Sequence, residues 1–194
     1  MRSWPASQVI ASTLAGVSLL ACSGNPNPRV TAGEGPSERN AGLILQEGEG
    51  ERRLRRNVGK GPFILKVDRQ NGASPDLVMG YEDIEPGAEI QPHMHLVADE
   101  ILFIHRGNGV AKLGERESQI KAGTTIYIPR NVQISVRNTG NEPLGVAFIF
   151  SRPGFEELMR DNSVLEGQPV TPISAEERDQ IRKRHSWHTA FPPR

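Results

Sequence analysis

Two histidines and a glutamate lie close together near the middle of the chain and could bind a metal ion. His93, His95 and Glu100 fall within eight residues of one another. Because His93 and His95 are two residues apart, an extended strand would point both imidazoles to the same face. Two neutral imidazoles and one carboxylate can hold a redox-active divalent metal and leave further coordination positions open. The spacing therefore predicts a metal site.

The segment that carries these residues is predicted to be rich in strands. Turn signals such as Asn71-Gly72, Pro86-Gly87 and Ala122-Gly123 separate short stretches of strand-forming residues. Strands at this density favour an all-β fold, an antiparallel barrel or sandwich. The predicted strands are Phe63–Val67, Leu77–Ile84, Ile90–His95, Glu100–His105, Gly109–Leu113, Ser118–Lys121, Thr124–Ile128, Gln133–Arg137 and Gly145–Phe150.

The overall composition is that of a soluble globular protein. The chain has 194 residues, 36% of them hydrophobic and 24% charged, which is enough for one domain with flanking segments. Lys+Arg and Asp+Glu both number 23, so the formal net charge is zero. This balance gives no indication of a nucleic-acid partner. A single cysteine, Cys22, excludes an internal disulfide.

The first residues predict export and a lipid anchor. Residues 1–21 combine a positive start with an apolar run too short to span a bilayer, which is typical of a secretory signal peptide. Leu19-Leu20-Ala21-Cys22 resembles a bacterial lipobox, in which the cysteine is acylated and becomes the mature N-terminus. Ser23 follows Cys22 and, by resemblance to sorted bacterial lipoproteins, favours the periplasm-facing side of the outer membrane. An ordinary signal peptide cut nearby is the alternative.

The remaining segments flank the predicted barrel. A basic run containing Arg52, Arg53, Arg55 and Arg56 is predicted to be solvated and paired with nearby glutamates, with contact to anionic lipid as the alternative. The expected organisation is a signal peptide over 1–21, a flexible tether over 22–42, a β-barrel domain over 43–151 and a C-terminal helical extension over 152–194.

Two short helices are predicted in the C-terminal extension. One covers Phe155–Arg160 after Pro153-Gly154, and a capping box at Ser174 begins a second that runs to about His185. Ile173 and Ile181 suggest one narrow apolar face. We expect these segments to lean on the outside of the barrel.

Two spaced motifs resemble those of the cupin superfamily. Gly87, His93, His95, Glu100 and Gly107 fit every fixed position of the first cupin motif. Gly123 and Pro129, followed by Asn138, resemble the second motif, and the resemblance covers residues from about 76 to 150. The chain is similar to single-domain cupins of type 2, and this resemblance implies a double-stranded β-helix, or jelly roll. It also implies a divalent metal, among iron, manganese, nickel, copper and zinc, bound by His93, His95, Glu100 and one more histidine.

The second motif departs from that pattern. Ile134 stands where the last histidine would be, and Asn131 stands where a turn glycine is usual. Three interpretations remain open. The site could be a two-histidine, one-carboxylate triad with three open positions, which suits Fe(II) or Mn(II). Gln133 could replace the missing ligand if a bulge turned it inward. The metal could also be weak or absent, leaving an apolar pocket around Ile134.

The expected function is that of a metal-binding cupin that acts on a small molecule, with dioxygenase-like chemistry at the open positions. Ile134, Leu102, Ile126 and Tyr127 or its neighbours would shape the pocket, and no catalytic residue is assigned. The alternative is a non-catalytic lipoprotein that binds a sugar or another small molecule. Whether the chain forms a homodimer stays open.

The other histidines give weaker signals. His105 lies five residues after Glu100, so strand alternation places it on the opposite face, away from the pocket. His185-Ser-Trp-His188 has a metal-ligand spacing but is expected to lack a third, acidic partner. A positive histidine near the end of a helix is the simpler interpretation. Trp187 and Phe191 are expected to pin the tail to the barrel.

Overall fold

The computed structural model describes residues 42–56, 61–71 and 74–193. The predictions for the signal peptide, for Cys22 and for all but the last residue of the tether lie outside the described residues. Within these ranges, no helix is both long enough and apolar enough to cross a membrane.

Strands dominate the described residues, and two short helices follow them. The helices are α1 (Phe155–Asp161) and α2 (Ala175–Arg184). The strands are β1 (Glu51–Arg55), β2 (Pro62–Val67), β3 (Val78–Ile84), β4 (Glu89–His95), β5 (Glu100–Arg106), β6 (Asn108–Leu113), β7 (Arg116–Lys121), β8 (Thr125–Ile128), β9 (Gln133–Asn138), β10 (Leu144–Phe150), β11 (Ser163–Leu165) and β12 (Thr189–Ala190). The nine predicted strands are all present, with ends that differ by one or two residues.

The strands form two antiparallel sheets that pair in a nested order. One sheet runs β11-β1-β2-β3-β10-β5-β8 and the other runs β12-β4-β9-β6-β7. Strand β3 pairs with β10, β4 with β9, β5 with β8 and β6 with β7. A long hairpin rolled over two sheets produces this nesting, so the predicted all-β jelly roll is confirmed.

The hydrophobic core lies between the two sheets, and β5 illustrates how the sequence builds it. Glu100, Leu102 and Ile104 are buried on β5, whereas Ile101 and Phe103 between them are 39% and 40% exposed. This alternation follows from the two-residue period of a strand. It also places His105 on the outer, exposed side, as predicted.

The basic run folds differently from the prediction. Residues 51–55 form β1, which pairs with β2 on one side and β11 on the other. Of its arginines, only Arg53 pairs with a glutamate of the run, Glu51, at 2.6 Å. Strand pairing brings the other guanidinium groups beside acidic residues far along the chain. Those pairs are Arg52–Glu166, Arg55–Glu82 and Arg56–Glu177.

The C-terminal segment contains the two predicted helices and also contributes to both sheets. The Ser174 hydroxyl accepts a hydrogen bond from the Glu177 amide at 3.1 Å, which confirms the predicted cap of α2. Ile173 and Ile181 are both buried, as the apolar face predicts. Strand β11 pairs with β1, and β12 pairs with β4. These residues therefore extend the sheets themselves, a role that the sequence analysis missed.

Candidate metal centre

Two adjacent strands position the predicted ligands. His93 and His95 lie at the end of β4, and Glu100 begins β5 after a short connection. Strand alternation points both imidazoles inward, and all three side chains are buried. Their ligand atoms all lie within 4.8 Å of one another. The structure thus brings the three residues of the motif together at one point between the sheets.

The imidazole of His93 is held in a tautomer suited to metal binding. Its Nδ1 lies 2.9 Å from the Gln91 carbonyl oxygen, which can only accept a hydrogen bond. The proton therefore resides on Nδ1, which leaves a lone pair on Nε2. That Nε2 lies 3.2 Å from Nε2 of His95, so both rings direct the same nitrogen toward one region.

Glu100 supplies an oxygen that has no hydrogen-bond partner among residues 42–56, 61–71 and 74–193. Its Oε2 is fully buried and lies 3.0 Å from Nε2 of His95, but the two groups are not aligned as a hydrogen bond. We therefore regard this pair as a close approach rather than a satisfied interaction. A buried carboxylate oxygen without a donor is costly, so a cation at this point would stabilise it.

Burial keeps all three groups near neutrality in the free protein. It lowers the pKa of His93 and His95 to about 4 and raises the pKa of Glu100 to about 8. Neutral imidazole is the form that binds metals. Three converging donors, one of them orphaned, therefore fit a divalent metal ion.

Position 134 lies in the same site. The Cα atom of Ile134 on β9 is paired with that of His93 on β4, and the Ile134 side chain is only 1% exposed. Its neighbour Gln133 is paired with Met94, which faces away from His93, so Gln133 does not replace the missing ligand. Asn131 has a φ of +66°, so it occupies the left-handed turn position that the motif predicted for it.

A cavity of about 670 Å³ opens beside the three ligands. Leu102 and Ile134 line it, together with His93 and Glu100. Ile126 is paired with Leu102 on the neighbouring strand and is buried in the core, but it is not part of the cavity wall. Tyr127 is 58% exposed, since alternation places it on the outer face of β8.

Aromatic residues from the C-terminal segment also reach the site. Phe155, the first residue of α1, stacks on the His93 ring at a centroid distance of 5.5 Å and meets the His95 ring edge-on at 4.6 Å. Phe191 lies 6.3 Å from the His93 ring. Sequence analysis missed Phe155 because nothing in its neighbourhood indicates that a residue 55 positions after Glu100 returns to the metal site.

The second histidine pair forms a hydrogen-bonded chain. Nε2 of His185 lies 2.8 Å from a carboxylate oxygen of Asp161, and Nδ1 of His185 lies 2.9 Å from Nε2 of His188. Nδ1 of His188 lies 2.7 Å from the Thr189 hydroxyl. The expectation that this pair lacks an acidic partner was wrong, because α1 delivers Asp161. All four ring nitrogens of His185 and His188 take part in these contacts, so this histidine pair has no free lone pair to bind a metal.

Comparisons with known proteins point to one superfamily. Residues 80–150 match the family model described as "Cupin domain". An uncharacterized protein of Methanocaldococcus jannaschii is 32% identical over 80 residues, which cover 41% of this chain and 62% of that protein. Dimethylsulfoniopropionate lyase DddW of Ruegeria pomeroyi is 27% identical over 92 residues, which cover 47% of this chain and 59% of that protein.

Among solved structures, a predicted oxalate decarboxylase from Thermotoga maritima has a TM-score of 0.49 at 22% identity, with 57% of this chain and 100% of that chain covered. The chain spans about 60% of the length of the first two curated relatives. The family match over residues 80–150, which includes the two motifs, supports the cupin superfamily.

Proposed function

We propose that this protein is a divalent-metal-binding cupin that acts on a small molecule in its central cavity. The observation that carries the proposal is the buried, unpartnered Oε2 of Glu100, toward which two imidazole Nε2 atoms converge. Among the described residues, no group satisfies that oxygen, whereas a cation would be held by all three ligand atoms. Fe(II) or Mn(II) suits two histidines and one carboxylate best, with zinc, nickel and copper as the other metals of this class.

The proposed reaction is oxygenase-like. When bound, such an ion supplies a redox-active Lewis acid with coordination positions open to a small molecule and to dioxygen. The chain itself provides a cavity with a largely apolar wall and two imidazoles held in place. The Gln91 carbonyl fixes the His93 tautomer, and the Phe155 ring packs on both imidazoles. A relative named as a lyase of dimethylsulfoniopropionate supports a reaction on a small organic molecule.

A non-catalytic binding protein is the second candidate function, and Ile134 favours it. This side chain occupies the wall of the metal site at a position where cupins usually provide another histidine, and it cannot ligate. Loss of one imidazole weakens metal affinity, which would leave the cavity as a metal-free site for an apolar ligand.

Metal titration of the metal-free protein separates these two functions. The parent should bind one equivalent of Fe(II) or Mn(II), and His93→Ala should bind none. His105→Ala is the matched control, because His105 is exposed on the outer face of β5, the strand that begins at Glu100, and its loss should leave binding unchanged. Ile134→His should raise the affinity, by about 10-fold or more for an added ligand. A parent that binds nothing while Ile134→His binds would establish the metal-free function. Undiminished binding by His93→Ala would refute the site.

The proposed location is the bacterial envelope, with the protein anchored through acylated Cys22. The support is the lipobox-like sequence that ends at the sole cysteine of the chain. Cys22→Ser should release the protein from the membrane fraction, and intact mass should lose the acyl groups. Equal membrane association of parent and variant would refute the anchor. A homodimer remains a prediction, and sedimentation of the released protein tests it directly.

A further inference from the structure

The outward face of the seven-stranded sheet carries apolar side chains that are exposed. Ile101 and Phe103 point outward from β5, and Tyr127 points outward from β8, where it is paired with Ile101. On the other side of β5, Ile101 is paired with the half-buried Ile149 of β10. Because the outward face of an antiparallel sheet normally carries polar residues, this apolar row is unusual for the fold.

The five-stranded sheet has the usual polar outward face. Its outward positions include Lys112, Glu117, Gln119, Ser135 and Arg137. Of the large apolar side chains that are exposed in residues 42–56, 61–71 and 74–193, none belongs to a strand of this sheet. The two sheets therefore differ in what their outward faces can contact.

The first described residues join the apolar face. Leu43 and Phe103 line the same hollow of about 820 Å³ on the outward side of the larger sheet, and Ile44, which follows Leu43, is 88% exposed. The buried ammonium of Lys66 donates to the carbonyl oxygens of residues 46 and 47, which holds this segment against β2. The exposed apolar residues of this face are here called the apolar band: Leu43, Ile44, Ile101, Phe103 and Tyr127.

The place where the chain enters the fold indicates what this band would meet. Residues 22–42 are the predicted tether, so the apolar band begins where the tether joins the fold. A flexible linker of this length reaches roughly 25 Å. With Cys22 as the proposed lipid anchor, this reach keeps the band near the bilayer at a high effective concentration, so weak contacts are enough for docking. An exposed tyrosine such as Tyr127 suits a lipid surface, since its ring is apolar while its hydroxyl can stay hydrated.

We propose that the apolar band docks the folded domain onto the lipid surface to which the tether is anchored. This inference goes beyond the central cavity, and it rests on the proposed envelope anchor. The band lies on the outward face of the larger sheet, whereas the metal ligands lie between the two sheets. Docking through the band would therefore leave the metal site intact and turn one chosen face of the domain toward the bilayer.

The sole cysteine of the chain makes this orientation measurable. The mature chain over residues 22–194 is coupled through the Cys22 thiol to a maleimide lipid in phosphatidylcholine vesicles, which supplies an anchor even if the cell does not acylate Cys22. Vesicle lipids with brominated acyl chains quench tryptophan fluorescence at short range. Trp187 is the only tryptophan of residues 22–194 and lies outside the band, so the parent gives the reference signal. Trp187→Phe/Tyr127→Trp moves the reporter into the band.

The reporter in the band should be quenched strongly, and Trp187 of the parent should be quenched weakly. Ile101→Asn and Phe103→Asn, each added to the Tyr127→Trp reporter, should lower the ratio of docked to undocked protein by about 5-fold, as expected for loss of one partly exposed apolar side chain. Val170→Asn is the matched control, because Val170 is apolar and 46% exposed but lies outside the band. It should leave the ratio unchanged.

Equal quenching of the band reporter and of Trp187 would overturn the inference, and so would Ile101→Asn and Phe103→Asn variants that are quenched as strongly as the reporter itself. A second copy of the chain is the competing occupant of the band. If sedimentation shows a dimer that Ile101→Asn/Phe103→Asn converts to a monomer, and the coupled reporter is not quenched, the band is a protein interface and the inference is wrong. Failure of the anchor is recognised separately, by an unmodified Cys22 in the intact mass of the cellular protein.

Discussion

The molecule contains two buried histidine pairs that differ in how many of their polar atoms are satisfied. In the pair on β4, His93 and His95 direct Nε2 atoms toward each other and toward an oxygen of Glu100 that has no hydrogen-bond partner in the part of the chain that the structure describes. In the C-terminal pair, His185 and His188 each use both ring nitrogens in a chain from Asp161 to Thr189.

The difference shows that residue spacing alone does not identify a metal site. Both pairs have a spacing found among metal ligands, and both acquire a carboxylate from elsewhere in the fold. What separates them is spare donor capacity, because converging lone pairs attract a cation while a completed hydrogen-bond chain has none to offer. The hydrogen bonds of the C-terminal pair instead stabilise β12 beside β4, where Thr189 is paired with His95.

The largest expected contrast is in metal affinity. Glu100→Gln should weaken Mn(II) binding by more than about 100-fold, because it removes the only anionic ligand of the three. Loss of a residue that merely hydrogen-bonds to a ligand typically weakens binding by about 10- to 100-fold, and loss of a ligand itself should have a larger effect. Asp161→Asn, the equivalent change in the C-terminal pair, should leave the affinity unchanged. Isothermal titration of the metal-free variants measures both.

Two results would break this contrast. If Asp161→Asn weakened Mn(II) binding as much as Glu100→Gln, the C-terminal pair would belong to the metal site or support it directly. If neither change mattered, Mn(II) would bind elsewhere in the chain.

The fold could be predicted from sequence because its signals are local. Alternation and turn residues define strands such as β5 and β8, and Ser174 marks the start of α2 with its own hydroxyl. Strands β1 and β12 escaped prediction for a physical reason. The basic run has no apolar alternation, and two residues of β12 are too few to show a period, so partners distant in sequence determine both strands.

The site could be predicted only in part, for a similar reason. The first motif is contiguous, so His93, His95 and Glu100 could be grouped from their spacing. The contribution of Phe155 depends on where α1 packs, and no local pattern encodes that packing. Tyr127 faces outward because of the register of β8, and a shift of that register by one residue would turn its side chain inward.

The second contrast concerns how stability depends on pH. Burial lowers the pKa of His93, His95 and His188 to about 4, so the unfolded chain binds more protons between pH 6.5 and 4 and stability falls as the pH drops through this window. The pKa of Glu100 is raised to about 8. The folded chain therefore holds an extra proton above pH 4.5, and this group makes stability fall as the pH rises toward 8.

Together these shifts place the maximum stability of the metal-free protein near pH 6.5, with a slope of about 1.4 kcal/mol per pH unit for each proton. Urea unfolding across pH 5 to 9 measures the profile. Glu100→Gln should reduce the alkaline decline, and saturating Mn(II) should do the same, because a bound cation keeps the carboxylate ionised. An alkaline decline in Glu100→Gln as large as that of the parent would contradict the assignment to this residue.

The smallest expected contrast is in the free energy of unfolding of two nearly isosteric variants, measured with chelator at pH 6.5. Thr189→Val removes the hydroxyl beside Nδ1 of His188 and leaves a buried ring nitrogen unsatisfied, which should cost about 1–2 kcal/mol. Glu100→Gln removes a group that is already unsatisfied, so it should cost less than about 0.5 kcal/mol or stabilise the protein. Thr125→Val on the exposed side of β8 controls for the change from threonine to valine. Equal losses in Thr189→Val and Glu100→Gln would mean that Glu100 has a partner in the free protein, and the distinction between the two histidine pairs would then fail.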